Sequence, residues 1–519
     1  MEAGASACGV RVGELLGVLS LAIDLGSGQP QSQGLRTCVL AVGLARELGL
    51  PEPIVAVVHR VALLRFLGCT SDGAETARMA GGNDVAFRAA MAPAVMGERR
   101  AMLGQLARTA GAEGGRLQRA AQLGAAVRSR RAGVRALAGH CEVGAMLAAG
   151  LGMGEGVLSA LAHAFERWDG RGIPAGLAGE EVPWPVRVVV VARDAELFSR
   201  LAPDELDGVL KARRGRAYDP AIVDVFAECG EELMAEIDRT DAWEAALACD
   251  PTTQQMMTEQ ELDAALRAIA EFTDLKSPWT RAHSVRVAEL AGAASAGLGH
   301  GRAEAALVGR AGLVHDLGQV GVPFCTWDRP GGLGPADWEL VRCHTMWAER
   351  ALGAASRLQD LALLAGAHHE RLDGSGFHRQ LDRARIDGPA RVLAAADVCA
   401  ALGEARPHRA ALDAAAASAV LRGEVRDGRL DRDAVDAVLA AAGQPAARSH
   451  TSWPRGLSDR EVDVLRLIAR GRTNREVAGE LHLSTKTVGR HVENLYLKIG
   501  VSSRAAAALF AMQERLLSP

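Results

Sequence analysis

Lysine is nearly missing from this chain: four of its 59 basic residues are Lys, the rest Arg. With the excess of Ala and Gly, that points to a GC-rich bacterial genome, so alanine richness says little about function. Aromatic residues make up only 4% and no charge sign dominates, the net charge being −4. That balance makes no case for a polyanion partner of the whole chain. The nine cysteines include no C-x-x-C pair; zinc-ribbon and thioredoxin-like motifs are excluded, and reduced core thiols of a cytoplasmic protein are expected. The start "MEAGASACGV" has no basic stretch leading into an apolar run, so no secretory signal is expected. The apolar span "VRVVVVARDAELF" is broken by Arg187, Arg193 and Asp194, so no membrane span and no membrane partner are expected.

What is present is a long, helix-favouring sequence written twice. At 519 residues, 49% apolar and 24% charged, the chain is globular and long enough for about three domains. "AFERWDGRGIP" (164–174) returns as "AHHERLDGSGF" (367–377), and "VVHRVALLRFLGC" (57–69) returns in "LVGRAGLVHDLGQVGVP" (307–323). The first half of the unit repeats at a spacing of 250 residues, pairing Arg36 with Arg286 and Arg60 with Arg310. The second half repeats at 204, pairing His140 with His344 and Arg187 with Arg391. The change of spacing places extra residues between Cys69 and His140 of the first copy. Two registers held this long identify two diverged copies of one helical unit.

The copies differ in their titratable groups. The second carries His283, His315, Asp316, His344, His368, His369 and Asp397, each set in its own apolar-periodic segment. The first has Gln33, Arg65, Phe66, His140, Ala164, Phe165 and Arg193 in their places. Five imidazoles and two carboxylates delivered by successive helices are what a bundle supplies to metal ions. Seven ligands exceed one tetrahedral ion and suit two divalent ions sharing a carboxylate, an arrangement that clamps a phosphate. Because the copy without these groups keeps the apolar scaffold, the fold does not need them.

The segments "HSVRV", "HDLGQVGVP", "CHTMWAERAL", "AHHERLDGSGF" and "ARVLAAADVCAAL" resemble the HD-GYP subgroup of the HD metal-dependent phosphohydrolases, over roughly 261–443. The resemblance implies a phosphodiesterase acting on a cyclic dinucleotide with Fe or Mn. It further implies that His283, His315, Asp316 and Asp397 hold one ion and His344, His368 and His369 the other, with Asp316 bridging and catalytic. The chain departs from the subgroup's pattern at three places. Gln319 stands where a phosphate-contacting lysine is usual, and is the second expected catalytic residue. Gly376-Phe377-His378 replaces Gly-Tyr-Pro, and Trp279 replaces a glutamate for a third ion. Two ions are therefore expected. Arg286 and Arg371 have counterparts in the stripped copy and read as structural salt-bridge residues; His140 reads as a packed residue.

The tail is different. From Arg455 to Pro519 there are 11 Lys+Arg against 7 Asp+Glu, which favours nucleic acid. Ser458 with Glu461 spells a capping box. Gly471 breaks that helix, Thr473 caps a second, and Ser484 starts a third whose apolar stripe is Val488, Val492, Leu495 and Ile499. Helix, short turn and helix read as a helix-turn-helix, and the segment resembles the LuxR-type DNA-binding domain. Lys486, Thr487, Gly489, Arg490, Glu493 and Asn494 form the exposed arc expected at double-stranded DNA. The last helix presents small residues suited to pairing two copies, a homodimer. The expected architecture is all-α: two HD-like bundles (1–250, without ligands, and 251–445), a linker (446–455) and a helix-turn-helix (456–519). The expected function is a transcription regulator with a phosphodiesterase module. The alternative is a non-enzymatic regulator whose HD-like domains only bind a ligand or mediate dimerisation.

Overall fold

The computed structural model describes residues 7–94, 104–105, 130–252, 255–443 and 453–517, in two compact units, Met1–Leu262 and Asp263–Pro519. The first unit opens with β1 (Ala7–Arg11), α1 (Val12–Gly26), α2 (Gln33–Glu47), α3 (Glu52–Leu64), α4 (Gly73–Ala80) and α5 (Asp84–Met91). It continues with α6 (Arg130–Gly150), α7 (Glu155–Ala162), α8 (Trp184–Leu201), α9 (Leu206–Arg213), α10 (Pro220–Arg239), α11 (Ala242–Ala248) and β2 (Met256–Thr258). β1 and β2 pair antiparallel, Ala7 with Thr258 and Arg11 with Met256, a small ribbon that closes an otherwise helical unit. α4 and α5 belong to the first copy's extra residues; much of the remainder, like most of the expected linker, lies outside the described residues.

α12 (Glu259–Asp274) leads into the second unit, followed by α13 (His283–Gly297), α14 (Arg302–Val314), α15 (Phe324–Trp327), α16 (Pro335–Gly353) and α17 (Gln359–Gly366). Next come α18 (Gly388–Leu402), α19 (Ala414–Arg426) and α20 (Arg432–Ala442). The tail helices are α21 (Asp459–Ala469), α22 (Asn474–Glu480), α23 (Thr485–Ile499) and α24 (Arg504–Gln513).

The repeat is structural as well as sequential. α2 and α13 have equal length and begin 250 residues apart, as do α3 and α14. Each first helix is entered through a left-handed residue, Ser32 (φ 69°) or Ala282 (φ 60°). Each entry is held by a buried aspartate: Asp24 accepts from the Gly34 amide (3.0 and 3.1 Å), and Asp274 accepts from the Ser284 amide (3.1 Å) and hydroxyl (2.7 Å). A side chain at Gly68 would collide with the His140 carbonyl, and one at Gly318 with the His344 carbonyl. That close approach is why both copies read Leu-Gly there, and it brings the turn after His315 against α16.

Among the described residues, the apolar stretch that best meets the length and hydropathy of a membrane span is Glu52–Thr70, not the valine run of α8; it has mean hydropathy 1.5 and is 72% buried within the chain.

Candidate metal centre and DNA-facing helix

The second unit brings all seven expected ligands to one place. His283 opens α13, His315 and Asp316 follow α14, His344 lies mid-α16, His368 and His369 follow α17, and Asp397 sits on α18. Asp316 faces two sets of imidazoles with its two oxygens. Its Oδ2 lies 3.3 Å from His315 Nε2 and 3.7 Å from His283 Nε2. Its Oδ1 lies 3.4 Å from His344 Nε2 and 3.5 Å from His368 Nε2. Asp397 also joins the sets: Oδ1 is 3.3 Å from His283 Nε2, and Oδ2 is 3.7 Å from His369 Nδ1. Except for the partly exposed His369, every member is buried.

The hydrogen bonds fix which ring nitrogen faces inward. Nδ1 of His315 donates to the Gly312 carbonyl (2.9 Å), Nδ1 of His368 to that of Ala365 (2.7 Å), and Nδ1 of His344 to that of Val341. With the proton held at Nδ1, each Nε2 carries a bare lone pair, the tautomer that ligates a metal. His344 Nε2 and His368 Nε2 stand 3.1 Å apart. Two lone pairs facing at that distance repel unless a cation lies between them. His315 Nε2 and His369 Nδ1 are buried with no hydrogen-bond partner among the described residues, which is costly for polar atoms that lack a ligand. Donor types, tautomers and orphaned atoms all fit divalent cations.

The electrostatics divide the set: nearby carboxylates favour the protonated form of His283 and His315, and burial favours the neutral form of His368 and His369. Burial alone would raise the Asp316 carboxyl, but His315, His344 and His368 override it and hold it well below the usual range. Burial pushes His368 down to about 4 and His369 well below the ordinary imidazole value, so both are neutral and able to ligate. His283 is raised to about 10, because the Glu404 and Asp397 carboxylates outweigh burial.

Glu404 is a residue the sequence reading missed. Its carboxylate accepts from His283 Nδ1 (3.1 Å), Arg286 (2.7 Å) and Arg406 (2.8 Å), so it orients a ligand from behind. It lies seven residues after Asp397, just beyond the end of α18 at Leu402, a position that no ligand spacing marks. Arg286 is thus a salt-bridge residue, as is its counterpart Arg36 with Glu196 (2.8 Å). Arg371 donates to the His368 and Glu370 carbonyls. Gln319 sits half-buried in the turn after Asp316, its backbone N–H donating to the Asp316 carbonyl (2.7 Å). Phe377 packs on His369 (ring centroids 4.5 Å apart). His378 lies outside the centre, contacting Thr345 (2.9 Å) and Glu349 (3.2 Å), and Trp279 donates to Asp328 (3.0 Å).

In the tail, Ser458 and Glu461 form the expected capping box, and Thr473 forms a second with Glu476. Val488, Leu495 and Ile499 are buried on α23, while Lys486, Arg490, Glu493 and Asn494 are exposed and Thr487 and Gly489 half-buried. Thr487 is also tied to the helix start, its hydroxyl 2.7 Å from that of Ser484. The small-residue helix α24 is covered within the chain. Ala506 to Met512 are all buried, α24 packs on α21, and Gln513 donates to Glu271 (3.1 Å) while Arg515 pairs with Glu289 (3.5 Å).

Comparison with known proteins accords with this anatomy. The family model for the HD domain matches residues 267–434, and that for bacterial regulatory proteins of the luxR family matches 455–511. The cyclic di-GMP phosphodiesterase response regulator RpfG of Xanthomonas campestris is 31% identical over 266 residues, 50% of this chain and 68% of the relative. The chain belongs to the HD-GYP-type HD-domain family. Another member, the 3'3'-cGAMP-specific phosphodiesterase 3 of Vibrio cholerae, is 28% identical over 413 residues, covering 79% of this chain and 90% of the relative. The crystal structure of a V. cholerae cyclic GMP-AMP specific phosphodiesterase superposes with a TM-score of 0.59 at 25% identity, covering 83% of this chain and 97% of that one. This HD-GYP-type protein therefore joins an HD module of phosphodiesterase kind to a LuxR-family DNA-binding domain, the make-up of a transcription regulator.

Proposed function

We propose that the second HD copy is a two-metal phosphodiesterase acting on a cyclic dinucleotide, and that the tail reads double-stranded DNA. The observation that carries the first half is Asp316, whose two oxygens each face a separate imidazole set. In this reading His283, His315, Asp316 and Asp397 hold one divalent ion, and His344, His368, His369 and Asp316 hold the other, iron or manganese. The chemistry such ions supply is Lewis-acid polarisation of a phosphodiester and activation of water. The chain's own part is to fix the ligand tautomers through backbone carbonyls and Glu404, and to keep the carboxylates ionised in a buried site. Gln319, the second catalytic candidate, offers an amide donor to a phosphate oxygen without a charge.

Gln319 also favours a second reading: a ligand-binding module without turnover, because the expected cation beside the phosphate is missing. Elemental analysis of the purified chain, with turnover of 3'3'-cGAMP, cyclic di-GMP and bis(p-nitrophenyl) phosphate, separates the two. Turnover lost in Asp316→Ala supports hydrolysis; bound metal with turnover no higher than in that variant supports binding alone.

For the tail, Arg490 and Lys486 reach bases or phosphates from the exposed arc of α23, Thr487 and Gly489 lie nearest the backbone, and Glu493 and Asn494 complete the arc. Arg490→Ala should weaken operator binding about tenfold to a hundredfold in a salt-dependent mobility shift. Undiminished binding would remove α23 from the DNA. Pairing of two chains through α24 on a two-fold operator requires that helix to be uncovered first. The proposed domain division remains two HD-like bundles, a linker and the DNA-binding tail, in the cytoplasm.

A further inference from the structure

The helix pair that opens each copy carries a second, different donor set in the first copy. Cys38 on α2 and His59 on α3 stand where the second copy has Ala288 and Gly309 at the 250-residue spacing. There the small residues simply let α13 and α14 approach, a Cβ at Gly309 meeting the Ala288 carbonyl at 3.5 Å. In the first copy α11 packs against α2, and Cys249, directly after it, completes a triplet. The ligand atoms of Cys38, His59 and Cys249 all lie within 4.8 Å of one another. Cys38 is 0% and His59 1% exposed, and Cys249 is half-buried.

Their hydrogen bonding is thin. Cys38 Sγ is 3.5 Å from the His59 carbonyl and Cys249 Sγ is 3.3 Å from that of Ala246. His59 Nε2 lies 2.9 Å from the Ala246 carbonyl, while Nδ1 is buried with no hydrogen-bond partner among the described residues. An orphaned ring nitrogen beside two thiols, in a seam built of apolar helices, is an expensive arrangement for residues serving only as filler.

We propose that Cys38, His59 and Cys249 form a binding site for a thiophilic divalent cation, zinc foremost, in the first copy. Tetrahedral bonds of about 2.3 Å to sulfur and 2.0–2.1 Å to nitrogen set donor-to-donor edges of roughly 3.5–3.8 Å, so from spacings within 4.8 Å the triplet needs to contract by no more than about 1.3 Å. Two thiolates and a neutral imidazole balance a divalent charge, which a buried site requires. Binding releases the two thiol protons to solvent, and a water takes the fourth position. Sulfur also separates this site chemically from the downstream centre, whose donors are all nitrogen and oxygen. A bound ion would tie α2, α3 and the segment after α11 together, making the first copy a metal-stabilised scaffold rather than a metal-free one.

The test is cobalt(II) titration of the full-length, reduced, chelator-stripped protein, read by the near-ultraviolet thiolate-to-cobalt charge-transfer band, which histidine and carboxylate ligands do not give. The expected band saturates at one cobalt per chain, is displaced by zinc, is lost in Cys38→Ser and Cys249→Ser, and persists in Asp316→Ala. Absence of the band, or its survival in both serine variants, would overturn the proposal, as would recovery of Cys38 and Cys249 as a disulfide that resists mild reduction. If circular dichroism shows Cys38→Ser unfolded, Cys249→Ser, outside a helix and half-buried, carries the result alone.

Discussion

The two HD copies build the same cavity and fill it in opposite ways. In the second, seven nitrogen and oxygen side chains converge in an arrangement suited to external cations. In the first, the chain supplies the cations itself. Arg65, in the place of His315, lies over Phe66 (5.7 Å from guanidinium carbon to ring centre) and Phe165 (5.6 Å). Arg193, in the place of Asp397, lies over Phe66 (5.6 Å) and pairs with Asp194 (2.6 Å). His140, the one retained histidine, packs on Phe165 (5.1 Å) and is driven down to about 4 by burial. Burial likewise lowers Arg65 to about 10, and its Nε and Nη1 have no hydrogen-bond partner among the described residues. Arginine over aromatic rings, worth about 0.5–2 kcal/mol per contact, replaces metal coordination. Losing a metal site takes more than deleting ligands: the vacated volume and charge must be refilled.

The largest effect is expected from Asp316→Ala, which should remove both ions and reduce hydrolysis of bis(p-nitrophenyl) phosphate to background, whereas Arg193→Ala should leave metal content at the downstream centre and turnover unchanged. Elemental analysis and the same assay measure both. Next comes Phe165→Ala, which empties the plug of the first copy. It should destabilise that unit by about 3–5 kcal/mol, seen as an earlier thermal transition, with turnover preserved below it. Glu404→Gln should weaken metal binding about 10- to 100-fold in a chelator competition, because His283 loses the carboxylate behind it while the ligand set stays whole.

A further effect concerns pH and leaves the metal centre untouched. Burial raises Asp24 to about 8, so the folded chain keeps a proton there that an unfolded aspartate releases near its ordinary value of 3.8. The stability it contributes is therefore present at low pH and lost as pH rises from about 4 to about 8. Asp24→Asn should flatten that fall in a series of thermal melts; an unchanged slope would assign the pH dependence to other groups.

The chemistry of the centre was legible because the repeat acts as its own control: comparison at spacings of 250 and 204 isolates the ligands from the scaffold. The same comparison treats Arg65, Phe66 and Arg193 only as losses, since a plug is a matter of three-dimensional packing that no pairwise alignment displays. Glu404 escaped because it touches a ligand and not the cavity, so its segment shows no ligand spacing. The β1–β2 ribbon was invisible for another reason: its strands are five and three residues long and lie at opposite ends of the unit. The small residues of α24 were visible, but which surface covers them depends on the HD helices they meet. The caps at Ser458, Thr473 and Ser484, being local, could be read directly.

The most direct test of the central claim is anomalous diffraction from crystals of the full chain grown with manganese. Two strong peaks are expected flanking Asp316, one within coordination distance of each carboxylate oxygen, and none between Arg65 and Phe66. A downstream centre with no peak, or with a single ion that Asp316 does not touch, would contradict it.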